Sequence, residues 1–243
     1  MVRDSTTQHS DKQGVGLTRS GVRGIIGQSI LIIIGFVILF VSAGKLSWTN
    51  AWIYVGLVLI YHIISTAVLA KVNPQVLNER GTVIKAGTKT FDKVYVAIYP
   101  VFSYGSLVIM GFDAVRCQWS VMPFWLTFVG IFMFVSVIPL TLRAMAVNQF
   151  FEWTARIQND RNQYVCTSGP YKIIRHPGYA GLIISLLAYP FILGSWWGFL
   201  PNSVLISIIV IRTALEDRTL RKEFPGYEEY VQKVKYRLIP LVW

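Results

Sequence analysis

Five stretches of this chain run for at least the length of a membrane span without one Asp, Glu, Lys or Arg: 25–43, 51–70, 94–112, 122–142 and 178–211. A helix needs about 20 apolar residues to cross the ~30 Å hydrocarbon core of a bilayer. Each of the first four runs fits one span. The fifth is too long for one helix, and Gly194-Ser195-Trp196-Trp197-Gly198 divides it into two short legs. The pattern predicts an all-α integral membrane protein with six membrane helices, the last two a tight hairpin, followed by a helical C-terminal segment. The charged fraction agrees: it is 14%, where a soluble domain carries about a quarter.

Charge orients the chain. Segments 1–24, 71–93, 143–177 and 212–243 hold 4, 5, 5 and 7 Lys plus Arg, so 21 of the 23 basic residues fall on one side and only Lys45 and Arg116 on the other. Lys and Arg collect on the cytoplasmic side of membrane proteins. Both termini are therefore expected in the cytoplasm, with the protein in the cell membrane of a prokaryote or the endoplasmic reticulum of a eukaryote. The pI near 9.8 follows from that topology. It calls for no nucleic acid, only for some attraction to anionic membrane lipids. Three regions result: a flexible N-terminus 1–24, disordered at least to Thr18; four helices over 25–142; and a catalytic region over 143–243.

Other features read as structural. Cys117 and Cys166 fall on opposite sides of the membrane, which argues against a disulfide and a metal site. A full-length first apolar run after a polar stretch is a retained helix rather than a cleaved signal. Trp48, Trp52, Trp196 and Trp197 suit the interfacial aromatic belt. Pro100 and Pro139 lie inside predicted helices and favour kinks. His62 is either a packed neutral histidine or a cavity wall, with packing favoured. Asn148, Gln149 and Glu152 could line a tunnel, but a solvated helix face is the better reading. Arg237 is either an interfacial anchor or a contact to a head group or cofactor. Loop 71–93 reads as an ordered connection without an assigned role.

The chemistry concentrates at Arg175-His176-Pro177-Gly178-Tyr179-Ala180-Gly181. Pro177 suits the first turn of a helix, whose start offers free N–H groups and a positive dipole end to an anion. Arg175 and His176 stand beside it, and Gly178 and Gly181 allow close approach by a ligand or a neighbouring helix. Glu216 and Asp217 emerge at the same membrane level. Pairs with Arg212 and Arg221 at helical spacing would make them structural. Left unpaired, an acid there would grip the ammonium of a zwitterion whose carboxylate met Arg175 and His176.

Gly169-Pro170-Tyr171, the stretch Arg175 to Gly181, and Glu216-Asp217 with Leu220, Phe224, Gly226-Tyr227 and Tyr230 together resemble the isoprenylcysteine carboxyl methyltransferase family, itself grouped with the phospholipid N-methyltransferases. The resemblance covers about 160–243. It implies S-adenosylmethionine as cofactor and a lipid or lipid-modified, lipophilic acceptor. It implies that Arg175 and His176 meet the methionyl carboxylate and that Glu216 holds the amino group. Tyr179 would line the pocket, and Tyr227 and Tyr230 would close the adenosine side. Tyr171 and Gly181 join that cofactor-binding set, with Arg175 and Glu216 as the catalytic pair. The family shows two consecutive glutamates where this chain has Glu216-Asp217, one methylene shorter at the second position.

Three alternatives stay open. The ending Tyr236-Arg237-Leu238-Ile239-Pro240 resembles sterol reductases, which would make the protein an NADPH-dependent reductase of an isoprenoid or sterol double bond. A phospholipid amine could be the acceptor. A non-enzymatic membrane protein would need polar groups deep in several spans, where only His62 stands out. No feature calls for an obligatory protein partner.

Overall fold

The computed structural model describes residues 16–243, so the expectation of a flexible terminus lies, for 1–15, outside the described residues. Eight α-helices follow: α1 (Arg19–Ala43), α2 (Thr49–Val72), α3 (Pro74–Glu79), α4 (Thr90–Gly111), α5 (Trp125–Val147), α6 (Pro177–Leu193), α7 (Phe199–Glu223) and α8 (Tyr227–Lys233). There is no strand among the described residues. Five helices are long and apolar enough to cross a membrane: α1, α2, α4 with its continuation to Arg116, α5 and α7. The sixth expected span, α6, is apolar but only 17 residues long.

The first helix begins earlier than the apolar run implies. Thr18 caps α1 by accepting from Gly21 N–H at 3.3 Å, and its own N–H donates to Asn78 Oδ1 at 2.9 Å. A side-chain cap holds the first turn, so order reaches Thr18, contrary to the expected disorder there. Pro100 and Pro139 sit within α4 and α5 without ending either helix. The α4 helix widens into a π-helical turn over Phe112–Arg116, which carries buried Asp113.

Small residues set the closest helix approach. A Cβ on Gly130 would lie 2.8 Å from Ala188 O, and one on Gly181 would run into Thr141 Cγ2, so α5 and α6 touch along nearly their whole length. The core between α1, α2, α4, α5 and α6 holds Leu39, Tyr54, Met110, Phe134, Ile192 and Leu193. Gly194, at φ +74, ends α6 in the left-handed region that glycine adopts without strain, and α7 starts five residues later. Tyr179 meets Glu216 and Asn202 meets Leu186 O, so α6 and α7 run antiparallel.

One end of the bundle gathers the start of α1, α3, the loop 148–176, the end of α7 and the C-terminal segment. The 80–89 connection docks there through ion pairs: Lys85 with Glu79 and with Glu152 (3.0 Å), and Lys89 with Glu223 (2.6 Å). Thr154 Oγ1 also donates to Val83 O at 3.0 Å. The loop 71–93 is thus a clamp on the loop that follows α5. At the opposite end, Asp113 accepts from Ser120 (2.8 Å), Ser195 (2.7 Å) and the N–H of Trp197 (3.2 Å). A buried acid was not expected in that span, and it ties α4 to the α6–α7 turn. Trp196 and Trp197 stay about half exposed beside it.

Candidate active site

Asp217 is fully buried and is the hub of the site. It accepts from Arg175 Nε (2.8 Å) and Nη2 (3.0 Å), His176 Nε2 (3.3 Å), Tyr227 OH (3.0 Å) and Arg237 Nε (2.9 Å). Two backbone bonds fasten the same region: Arg175 N–H to Tyr236 O and His176 N–H to Arg237 O, both 2.9 Å. The start of α6, the end of α7, α8 and the C-terminal segment therefore converge on one carboxylate.

That geometry gives Arg175, which borders the same cavity as Glu216, a largely structural set of partners. Its Nη1 donates to Val234 O and Lys235 O, both at 2.7 Å, so four of its five N–H groups are satisfied inside the protein. It positions the C-terminal segment and has little left for a ligand. Arg237 is likewise held, on Asp217 and over the Trp243 ring at 4.8 Å. The expected free N-terminus of α6 is also partly filled, since Tyr179 and Ala180 N–H both reach His176 O. Gly178 N–H has no partner among the described residues.

Glu216 is different. It accepts one bond, from Tyr179 OH at 2.5 Å, has no cationic partner among the described residues, and lines a cavity of about 370 Å³. The helical pairs that would have made these acids structural do not form. Arg212 instead holds Asp92 with Nε and Nη2 at 2.7 and 2.8 Å, and Arg221 pairs with Glu228 at 2.8 Å. Arg212 also donates to Trp153 O and lies over the Tyr95 and Tyr179 rings at 4.0 and 4.9 Å. Asp92 further accepts from Ala155 N–H. Its importance was missed, although an acid in the first turn of a long apolar helix is the signal that could have found it.

Tyr171, His176, Tyr179, Glu216, Tyr227 and Tyr230 all border the same cavity. Gly181 does not, because it is the crossing point with α5. Tyr171 OH accepts from Asn148 Nδ2 at 3.0 Å, and Tyr230 OH donates to Tyr171 O at 2.6 Å. Burial pushes the phenols of Tyr171, Tyr227 and Tyr230 well above their ordinary value, which leaves them neutral. The His176 and Tyr179 rings stack, 5.7 Å between centroids. Gly178 faces Phe151, whose Cζ would be 2.6 Å from an added Cβ. Asn148 and Glu152 line the cavity from an irregular loop, not from a solvated helix face, whereas Gln149 contributes only its carbonyl, to Arg161.

The cavity continues inward from this polar mouth. Its inner wall is apolar and aromatic, from Phe134, Val137, Ile138, Leu182 and Tyr189, with Tyr61 and Ser65 of α2 beside them. His62 lies off it, bonded to Ser29 Oγ at 2.9 Å. One enclosure thus joins an acidic, aromatic mouth to an apolar interior. No cluster of His, Cys, Asp and Glu among the described residues could hold a metal ion.

A search of curated proteins found no match. The family model described as phospholipid methyltransferase matches residues 125–226, from the first residue of α5 to the residue before α8. The similarity therefore reaches further upstream than the motifs suggested and stops short of Tyr227 and Tyr230. By this match the segment that carries α5, the 148–176 loop, α6 and α7 is similar to the isoprenylcysteine and phospholipid methyltransferase group.

Proposed function

We propose that the protein uses S-adenosylmethionine to methylate a lipid or lipid-modified acceptor at the cytoplasmic face of its membrane. The observation that carries this reading is the single cavity with an unpaired carboxylate at its mouth and an apolar interior. A volume of about 370 Å³ falls in the usual range of small-molecule sites. The mouth suits the cofactor: Glu216 offers a carboxylate to an ammonium and Gly178 N–H a donor to a carboxylate, beside the His176 ring, whose Nε2 is taken by Asp217. Tyr171, Tyr227 and Tyr230 provide a neutral aromatic wall for a nucleoside.

When bound, S-adenosylmethionine supplies an electrophilic methyl group, taken by an acceptor oxygen or nitrogen as the carbon–sulfur bond breaks with its electron pair on sulfur. The chain's residues then have two tasks. They hold the two reactants in line, which converts a bimolecular step into a positioned one, and they exclude water. Arg175 serves the first task indirectly, by drawing α8 and the C-terminal segment over the mouth through Asp217. Among the described residues, Glu216 is also the one carboxylate on the cavity wall without a cationic partner, and it could take a proton from an ammonium acceptor.

The test is equilibrium binding of S-adenosylmethionine to the detergent-purified protein, with NADPH in parallel. The expected result is saturable binding that falls by at least about tenfold, or 1.4 kcal/mol, in Glu216→Gln and His176→Ala, with thermal unfolding little changed in Glu216→Gln. Wild-type affinity in both variants would remove this site. Binding of NADPH alone would replace the reading with the reductase.

A further inference from the structure

Four arginines line the cavity, and three of them have carboxylate partners: Arg156 with Glu152 and Asp160, Arg175 with Asp217, and Arg212 with Asp92. Lys89, also on the wall, pairs with Glu223. Arg80 has none among the described residues. Its Nε is buried without any hydrogen-bond partner, and Nη2 reaches only the sulfur of Met145, at 2.9 Å. The guanidinium lies between the rings of Trp153 (4.7 Å) and Phe151 (5.6 Å). Burying a cation unpaired is expensive, and the aromatic faces offset that only in part.

We propose that Arg80 is the residue that holds an anionic group of the methyl acceptor, so that the acceptor is an anionic amphiphile with its charge at the neck of the cavity and its chain in the interior. Three placements support it. Phe151 separates Arg80 from Gly178 at the start of α6, so the anion would sit about one aromatic ring away from the proposed cofactor mouth. Trp153, which bears the other ring, is tied by its backbone carbonyl to Arg212 at 2.8 Å, so Arg80 and the cavity's buried Arg212–Asp92 pair meet the same short stretch of loop. The interior wall of Phe134, Val137 and Ile138 begins on the other side of Met145, along α5. Arg80 also lies outside the segment shared with the methyltransferase group, on the connection clamped by Lys85 and Thr154. A residue that selects the acceptor suits a part of the chain that the shared chemistry does not use.

The planar fork of arginine binds carboxylate and phosphate alike, and the inference rests on the proposed methyltransferase reading for its link to an acceptor. The test uses two pairs of probes: S-farnesylthiopropionate against its neutral methyl ester, and dodecyl phosphate against dodecanol. Binding to the detergent-purified protein is measured by titration, in the wild type, Arg80→Gln and Arg80→Lys, with S-adenosylmethionine affinity measured on the same samples. The wild type is expected to bind at least one anionic probe at least about tenfold more tightly than its neutral partner. Arg80→Gln should erase that preference and Arg80→Lys should keep part of it. A preference for the carboxylate alone marks a prenyl or fatty acid, and one for the phosphate alone marks a phospholipid-like acceptor. No preference in the wild type, or an undiminished one in Arg80→Gln, overturns the inference. Loss of S-adenosylmethionine binding in every sample, with the Arg80-dependent preference intact, would instead remove the methyltransferase reading and leave the anion site.

Discussion

Asp217 takes five hydrogen bonds from four side chains that lie on three separate stretches of chain. Removing its charge leaves Arg175 facing an amide and Arg237 with one bond fewer, both next to a fully buried position. Breaking a buried ion pair by removing one partner costs about 3–5 kcal/mol. Asp217→Asn should therefore lower thermal stability in detergent by several degrees. It should also loosen the C-terminal segment, so that trypsin cuts after Lys233 and Lys235 faster than in the wild type. Unchanged unfolding and unchanged proteolysis would mean that the carboxylate is not the hub. Glu216, its neighbour, should behave in the opposite way, with a strong effect on binding and a weak one on stability. On the proposed reading a ligand-binding carboxylate and a structural one stand side by side, and only their partners tell them apart.

At the scale of helices, the α5–α6 contact positions the mouth relative to the apolar interior. Gly181 meets Thr141 so closely that any Cβ there must displace Thr141 Cγ2. Overpacking of this kind costs typically about 1–3 kcal/mol. Gly181→Ala should destabilise by that amount, and Thr141→Ser, which removes the offending methyl, should restore most of it in the double variant. Thermal melts of the four proteins in the cycle measure the coupling. Additive effects would show that the two residues are not in contact. Thr141 borders the cavity, so the double variant should recover cofactor binding together with stability.

Across the whole molecule, the described cationic residues other than Lys45 and Arg116 share one end of the bundle with the cavity mouth, and Cys117 marks the other. Cys117 is exposed while Cys166 is half-buried beside the cavity. On the proposed orientation, with the site facing the cytoplasm, a membrane-impermeant maleimide should label Cys117 from outside sealed, right-side-out vesicles of the Cys166→Ser variant. Labelling only after permeabilisation would invert the orientation. The same arrangement explains how two unlike ligands could meet. On the proposed reading a water-soluble one would reach the polar mouth between α6, α7 and α8, and an amphiphile would fill the interior between α2, α5 and α6.

The apolar runs, the breaks between them and the sidedness of charge were legible in the sequence because a bilayer imposes its thickness and its charge bias on any chain that crosses it. The run 178–211 divides at Gly194–Gly198, where the structure ends α6 and begins α7. Local motifs also gathered in one neighbourhood, since seven of the residues expected at the site, Tyr171, Arg175, His176, Tyr179, Glu216, Tyr227 and Tyr230, border one cavity. What they do there was not legible. Whether Arg175 faces a ligand or Asp217, whether Arg212 pairs within its helix or with Asp92 120 residues away, and whether Arg80 has a partner at all depend on contacts between segments remote in the chain. Spacing along one helix describes only neighbours on that helix. The choice among carboxylate partners is made by burial and packing of the assembled bundle, and only the tertiary structure could decide it.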